Sequence, residues 1–124
     1  MIELVLAERC TGCGACVEVC PTDVFALNAA GFAEIARQAD CQACFMCELY
    51  CRADALYVAP RCDGPSPPDP AEARRAAGAF RRMSGWDEWQ SDPAHANEHW
   101  RMEEVFLRAR ALATGAVAPS AADR

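Results

Sequence analysis

The chain has 124 residues and a formal net charge of −6, and all twelve of its basic residues are arginine. That length allows one domain, or a small domain with a long appendage, and the acidic balance argues against nucleic acid as a partner. Nine cysteines are far above ordinary usage and must drive the reading.

The compartment decides what the cysteines are for. "MIELVLAER" has Glu3 near its start and no apolar core long enough for a signal peptide. No uncharged apolar run approaches the roughly 18 residues of a membrane span. The Arg74-Arg75 pair lies too deep in the chain to direct export. A cytoplasmic location is expected, and there thiols stay reduced. An odd count also fits poorly with a fully paired disulfide scaffold, so metal binding leads.

In chain order, "IELVL" (2–6) is apolar and β-prone, as a short strand requires. Cys10, Cys13, Cys16 and Cys20 follow, and "ACVEVC" (15–20) suits one or two helical turns. "VFALN" (24–28) and "FAEIA" (32–36) flank "AAG", where Gly31 can supply the positive φ of a hairpin turn. Cys41, Cys44, Cys47 and Cys51 come next, with a second short helix in "MCELYC" (46–51) and a strand in "ALYVA" (55–59). The second half repeats the first at a constant offset that carries Cys10 onto Cys41 and aligns all eight of these cysteines. The same offset sets Glu3 on Glu34, Leu4 on Ile35, Asp23 on Asp54, Phe25 on Leu56 and Leu27 on Val58. This internal duplication predicts one local structure used twice. So few apolar residues per half cannot hold the duplicated region together by burial alone, and a metal staple is expected.

"DGPSPPDP" (63–70) carries four prolines in eight positions and reads as an extended linker. A helix is predicted from Asp69 as N-cap, with Pro70 at N1 and Glu72 close to a capping box, to about Arg82, ending at Ser84-Gly85. A second is predicted from Asp92 and Pro93 to about Ala113, with an apolar stripe of Met102, Val105, Phe106, Ala109 and Ala113. "APSAADR" (118–124) reads as a disordered tail. The expected organisation is thus a domain over 1–62, a linker over 63–70 and a helical arm over 71–124.

Structural zinc sites take four ligands, commonly as two separated pairs. Here each run offers three cysteines at strict C-x-x-C spacing and a fourth after three more residues. Two such steps wrap a tight loop around one cuboidal cluster and set each of the three thiolates on a different iron. Residues 1 to about 60 resemble the two-[4Fe–4S] bacterial ferredoxins, with eight cysteines matching in spacing and order. The resemblance implies an α+β, pseudo-twofold dicluster fold of two short β-hairpins and two short helices, which carries electrons one at a time. It also implies that the fourth cysteine of each run ligates the other cluster. One [4Fe–4S] cluster would take Cys10, Cys13, Cys16 and Cys51, and the other Cys41, Cys44, Cys47 and Cys20.

This sequence departs from that pattern in two ways. The first run ends in Cys20-Pro21 but the second in Cys51-Arg52. A cation at Arg52 would favour the reduced state of the cluster that Cys51 ligates and raise its potential, unless Arg52 is merely a solvated surface residue. "TGCGAC" is glycine-rich, whereas "QACFMC" carries Phe45 and Met46, so the two clusters should differ. Cys62 matches no ligand position and is expected to be a plain thiol. His95 and His99, one helical turn apart, lack a third ligand and read as solvated. The pairs Arg74-Arg75 and Arg81-Arg82 are expected on a solvated face.

The added half brings Trp86, Trp89 and Trp100, which suit interface anchors of an arm that clasps a partner; folding back over the core is the alternative. An appended arm on a dicluster ferredoxin resembles the electron-transfer subunit of adenylylsulfate reductase, whose tail wraps its flavoprotein. "CFMCELYC" (44–51) is similar to small ferredoxin-like subunits that serve flavoproteins of the fumarate reductase type. That likeness implies a heterodimer or larger hetero-oligomer, with FAD on a catalytic partner clasped by residues 63–124. No nucleophile, acid–base pair or nucleotide-binding loop is visible, so no catalysis is expected of this chain alone. A free-standing soluble ferredoxin and an iron–sulfur sensor or assembly protein are the alternatives.

Overall fold

The computed structural model describes residues 1–95 and 103–115. Four short strands and two short helices form its first half: β1 (Ile2–Val5), α1 (Ala15–Val19), β2 (Phe25–Leu27), β3 (Ala33–Ile35), α2 (Met46–Tyr50) and β4 (Leu56–Val58). The offset that carries Cys10 onto Cys41 also carries α1 and β2 onto the bounds of α2 and β4, and β1 onto β3. The two strand pairs are antiparallel, β1 with β4 and β2 with β3. Each pair therefore takes one strand from each repeat, which ties the halves together through the backbone.

Only β2–β3 is a hairpin. Its turn forms because Asn28 Oδ1 accepts hydrogen bonds from the Ala30 and Phe32 amides, both at 3.0 Å, and Gly31 takes a φ of 86°. The second expected hairpin is instead a pairing of the first and last strands of the repeat region. Ile2, Val24 and Leu56 are almost wholly buried, ringed by Phe25, Val58 and the sulfurs of Cys16, Cys20 and Cys47. Each such apolar side chain contributes about 1.5–3 kcal/mol, while ordering one residue's backbone costs about 1–2 kcal/mol. Met1, Leu6, Val19 and Leu49 are buried as well, yet the core remains small for the residues it orders, as a cross-linked fold allows.

The C-terminal half differs most from expectation. It does not extend from the core as an arm; the described part folds back over it. Glu3 Oε1 accepts from the Ser66 amide at 2.9 Å and pins the proline-rich linker. Four helices follow: α3 (Pro70–Ala76), α4 (Ala79–Ser84), α5 (Trp86–Gln90) and α6 (Glu103–Thr114). Asp69 caps α3 as expected, accepting from the Ala71 amide at 2.9 Å, and Gly85 ends α4 with a φ of 80°. The expected single helix to Arg82 is broken at Gly78, which has a φ of 77° and donates its N–H to Leu56 O at 3.1 Å. A Cβ at Gly78 would collide with the Asp54 carboxylate, so this close approach requires glycine.

α4 lies on α2, and α6 lies on α1. Phe80 packs on Phe45 with ring centroids 5.0 Å apart, and Tyr50 meets Trp86 at 5.4 Å and Phe106 at 6.3 Å. Of the second expected helix, Pro93–His95 forms a short 3₁₀ turn and Glu103–Thr114 forms α6, while residues 96–102 lie outside the described residues. The buried face of α6 differs from the expected stripe. Phe106 and Ala111 are buried while Val105 and Ala113 are exposed, because the helix turns Phe106 to Tyr50 and Arg110 to Asp23. Trp100, His99, Met102 and the 118–124 tail lie outside the described residues. So do the side chains of Trp89 and His95.

Glu48 on α2 is 2% exposed, and its Oε1 accepts from the Phe80 amide at 2.8 Å. The carboxylate thereby satisfies an otherwise orphaned donor in the first turn of α4. Replacing Glu48 by Ala should destabilise the docking of α4 by about 1–3 kcal/mol. Limited proteolysis between 63 and 90 should then become faster, while cleavage on the N-terminal side of Cys62 stays slow.

Candidate metal centre

The eight cysteines of the two runs fall into two groups of four. Cys10, Cys13 and Cys16 line one cavity together with Cys51 from the other run. Cys41, Cys44 and Cys47 line a second, together with Cys20. The exchange follows from chain direction. α1 and α2 run side by side, so the cysteine that ends each helix is carried past its own loop to the wall of the neighbouring cavity.

The loops are shaped so that backbone amides can face sulfur. Gly12 and Gly14 have φ values of 75° and 77°, and their counterparts Ala43 and Phe45 adopt 54° and 63°. The same left-handed path therefore recurs although the residue types differ. The Ile2 and Ala43 amides donate to Cys41 Sγ at 3.3 and 3.4 Å. Val24 donates to Cys20 Sγ at 3.3 Å and Ala55 to Cys51 Sγ at 3.4 Å.

The surroundings of the sulfurs oppose their ionisation as free thiols. Burial pushes the Cys16 thiol up to about 12, and the nearby charges of Cys51, Cys10 and Cys13 add to the effect. Burial likewise raises Cys47 well above its ordinary value, with Cys44, Cys20, Cys16 and Cys41 contributing. Burial also raises Cys44. Crowded, desolvated thiols resist ionisation unless a cationic group neutralises them. Soft thiolates converging four at a time, with amides aimed at sulfur, fit iron–sulfur groups. Among the described residues, no three His, Cys, Asp or Glu side chains are gathered closely enough to hold a single metal ion. Each cavity is lined by four of the sulfurs.

Cys13 and Cys44, the middle members of the two loops, are the exposed sulfurs of their sets, and Cys16, Cys20 and Cys47 are buried. The sets approach each other in the interior, where Cys16 is among the charges that reach Cys47. Cys62 is exposed and lines neither cavity. Arg52 is exposed and borders an open cleft with Thr11, Cys13, Ala15, Tyr50 and Ala53, beside the first cavity. Phe45 lines the second cavity under Phe80.

Arg74, Arg75 and Arg82 are exposed, as a solvated face requires, and Arg81 departs from that expectation. Arg74 is exposed and pairs with Glu8, but the Arg81 side chain is only 12% exposed and pairs with Asp54 at 2.9 Å and with Asp87. Its charge reaches Cys51. Sequence reasoning missed Arg81 because its partner Asp54 is distant along the chain and the pair forms only when α4 lies on α2; no local pattern announces it.

The two loops should respond oppositely to the same kind of change. A Cβ at Gly12 would stand 2.6 Å from Gly31 O on backbone with a φ of 75°. Gly12→Ala should therefore cost about 1–2 kcal/mol or more and lower the iron retained on purification. Ala43→Gly should stabilise by up to about 1 kcal/mol by removing left-handed strain. Equilibrium unfolding of the iron-loaded proteins checks both.

A family described as a 4Fe-4S binding domain matches residues 4–26, the stretch that holds Cys10, Cys13, Cys16 and Cys20. No curated protein and no solved structure matches the chain. No helix among the described residues is long and apolar enough to cross a membrane. The family match and the small fold of helices and short antiparallel strand pairs support a ferredoxin-type iron–sulfur protein that transfers electrons.

Proposed function

We propose that the chain is an electron carrier with two [4Fe–4S] clusters in a pseudo-twofold dicluster ferredoxin fold. Cys10, Cys13, Cys16 and Cys51 would hold one cluster and Cys20, Cys41, Cys44 and Cys47 the other. The observation that carries this reading is the sorting of eight cysteines into two cavities, three from one run and one from the other in each. Bound clusters supply one-electron redox chemistry. The protein's own part is to hold thiolates, aim amides at sulfur and exclude water. Exposed Cys13 and Cys44 mark the two edges a redox partner could approach, and the Cys16–Cys47 region joins the sets internally.

The partner we propose is a cytoplasmic FAD-dependent oxidoreductase, with this chain as its iron–sulfur subunit. A clasping arm receives less support than the sequence suggested, because helices α3 to α6 pack on the chain's own core. A partner would meet their outer face, where Met83 and Leu112 are 86% and 81% exposed. The same packing favours a second reading, a free-standing ferredoxin whose C-terminal half is part of its body. Co-purification discriminates: a yellow FAD-bearing protein that elutes with this chain supports the subunit, and a brown monomer supports the free carrier.

Iron and sulfide analysis should give about eight of each per chain; four of each would sink the two-cluster assignment. Cys51→Ala should disturb the cluster held by Cys10, Cys13 and Cys16, leaving the signal of the other. Cys20→Ala should do the converse, read by electron paramagnetic resonance of the reduced protein. Removing the iron with a chelator should also abolish the cooperative fold of the duplicated region, seen as loss of near-ultraviolet circular dichroism.

A further inference from the structure

Asp23 and Asp54 hold the same place in the two repeats, shortly after Cys20 and Cys51. Both are non-glycine residues in the left-handed region, with φ of 57° and 53°, a conformation that Asp takes more readily than most residues. In each turn the next residue's amide donates to the cysteine sulfur, Val24 to Cys20 and Ala55 to Cys51. The Asp thus orients an amide that touches a sulfur.

Each Asp is gripped by two arginines. Asp54 Oδ1 accepts from Arg81 Nη2 at 2.9 Å and Nε at 3.3 Å, and its Oδ2 pairs with Arg82 at 2.8 Å. Asp23 Oδ1 pairs with Arg37 at 3.3 Å and with Arg110 Nε at 3.7 Å. Arg81 and Arg82 come from α4, which lies on α2, and Arg110 comes from α6, which lies on α1. The appended helices have no counterpart in the duplication, yet they meet the duplicated core at equivalent points.

We propose that Arg81 and Arg110 are positioning residues that clamp Asp54 and Asp23, fix the turn after each exchanged cysteine, and set the potentials of the two clusters separately. The proposal rests on the two-cluster reading above. A cation held near a ligating sulfur favours the reduced cluster, as does a fixed amide donor to that sulfur. Arg81 is 12% exposed at its side chain, so solvent screens it little. The clamps are unequal. Arg81 makes two hydrogen bonds to its Asp, whereas the buried Nε of Arg110 makes none and Asp23 keeps Arg37 when Arg110 is lost.

Redox titration followed by electron paramagnetic resonance, on the full iron-loaded chain with iron and sulfide measured in each sample, tests this. Arg81→Gln should lower the potential of one reduction step and leave the other in place. Arg110→Gln should lower the other step, by less. Arg81→Lys, which keeps the charge, should restore most of the first shift. Where Arg81→Gln fails to load iron, Asp54→Asn breaks the same clamp in its place and should move the same step while leaving the other in place. Helices that merely anchor would give lower melting temperatures with unmoved potentials, and that result, or an equal shift of both steps, overturns the proposal. About eight iron per wild-type chain with unmoved potentials sinks the clamps alone; four iron sinks the two-cluster reading and the paired clamp with it.

Discussion

Eight cysteines line two cavities of a small fold, with Cys16, Cys20 and Cys47 buried among its apolar side chains, and this constraint organises the rest of the molecule. Burial and mutual repulsion hold thiols such as Cys16 and Cys47 protonated, so the bare chain has neither a satisfied polar centre nor a large apolar one. A thiolate-binding group would neutralise the crowding and cross-link the chain in one step. The exchange of Cys20 and Cys51 between cavities makes that cross-linking reciprocal. Neither repeat has a complete set of four without the other, and the same interlocking appears in the backbone, where each strand pair draws one strand from each repeat. Folding of one half without the other would leave two incomplete sites.

The C-terminal helices answer to the same constraint. Glu48 is buried on α2 and accepts from the first turn of α4, Gly78 brings its backbone onto Leu56, and Tyr50 receives both Trp86 and Phe106. These contacts are specific and engage α2 and β4. They close surface that a shorter ferredoxin-like chain would leave to solvent. Apolar residues that sequence reasoning assigned to a partner interface are in part used internally, and Phe80, Met83, Val105 and Leu112 are the large ones that stay exposed on the described helices.

Much of the core was legible because cysteine spacing and a repeat at constant offset are local, exact patterns. The strands were found to within a residue or so, and both short helices fell where the repeat put them. The appended half was legible only at its caps. Asp69 and Gly85 act as read, since capping depends on a few neighbouring residues. The break at Gly78 was not, because it arises from the collision a side chain would have with Asp54. The face of α6 was misjudged because periodicity alone cannot know that Arg110 answers Asp23. Arg81 was taken for a solvated residue for the same reason: an ion pair across the fold leaves no trace in a window of sequence.

The repeat also explains how one backbone can present two different sites. Gly12 and Gly14 give the first loop room, and Gly12 approaches Gly31 so closely that no Cβ fits. Ala43 and Phe45 follow the same left-handed path without that contact, and Phe45 is then free to turn to the second cavity and stack beneath Phe80. The first site opens on a cleft beside Arg52 and Cys13, while the second is roofed by aromatic rings. Duplication supplies the geometry, and divergence of loop residues and appended helices supplies the difference in polarity and charge. A carrier with two chemically identical clusters has no preferred end for its electron. Here the inequivalence is built into side chains that surround the sulfurs, on a backbone that treats the two sites alike.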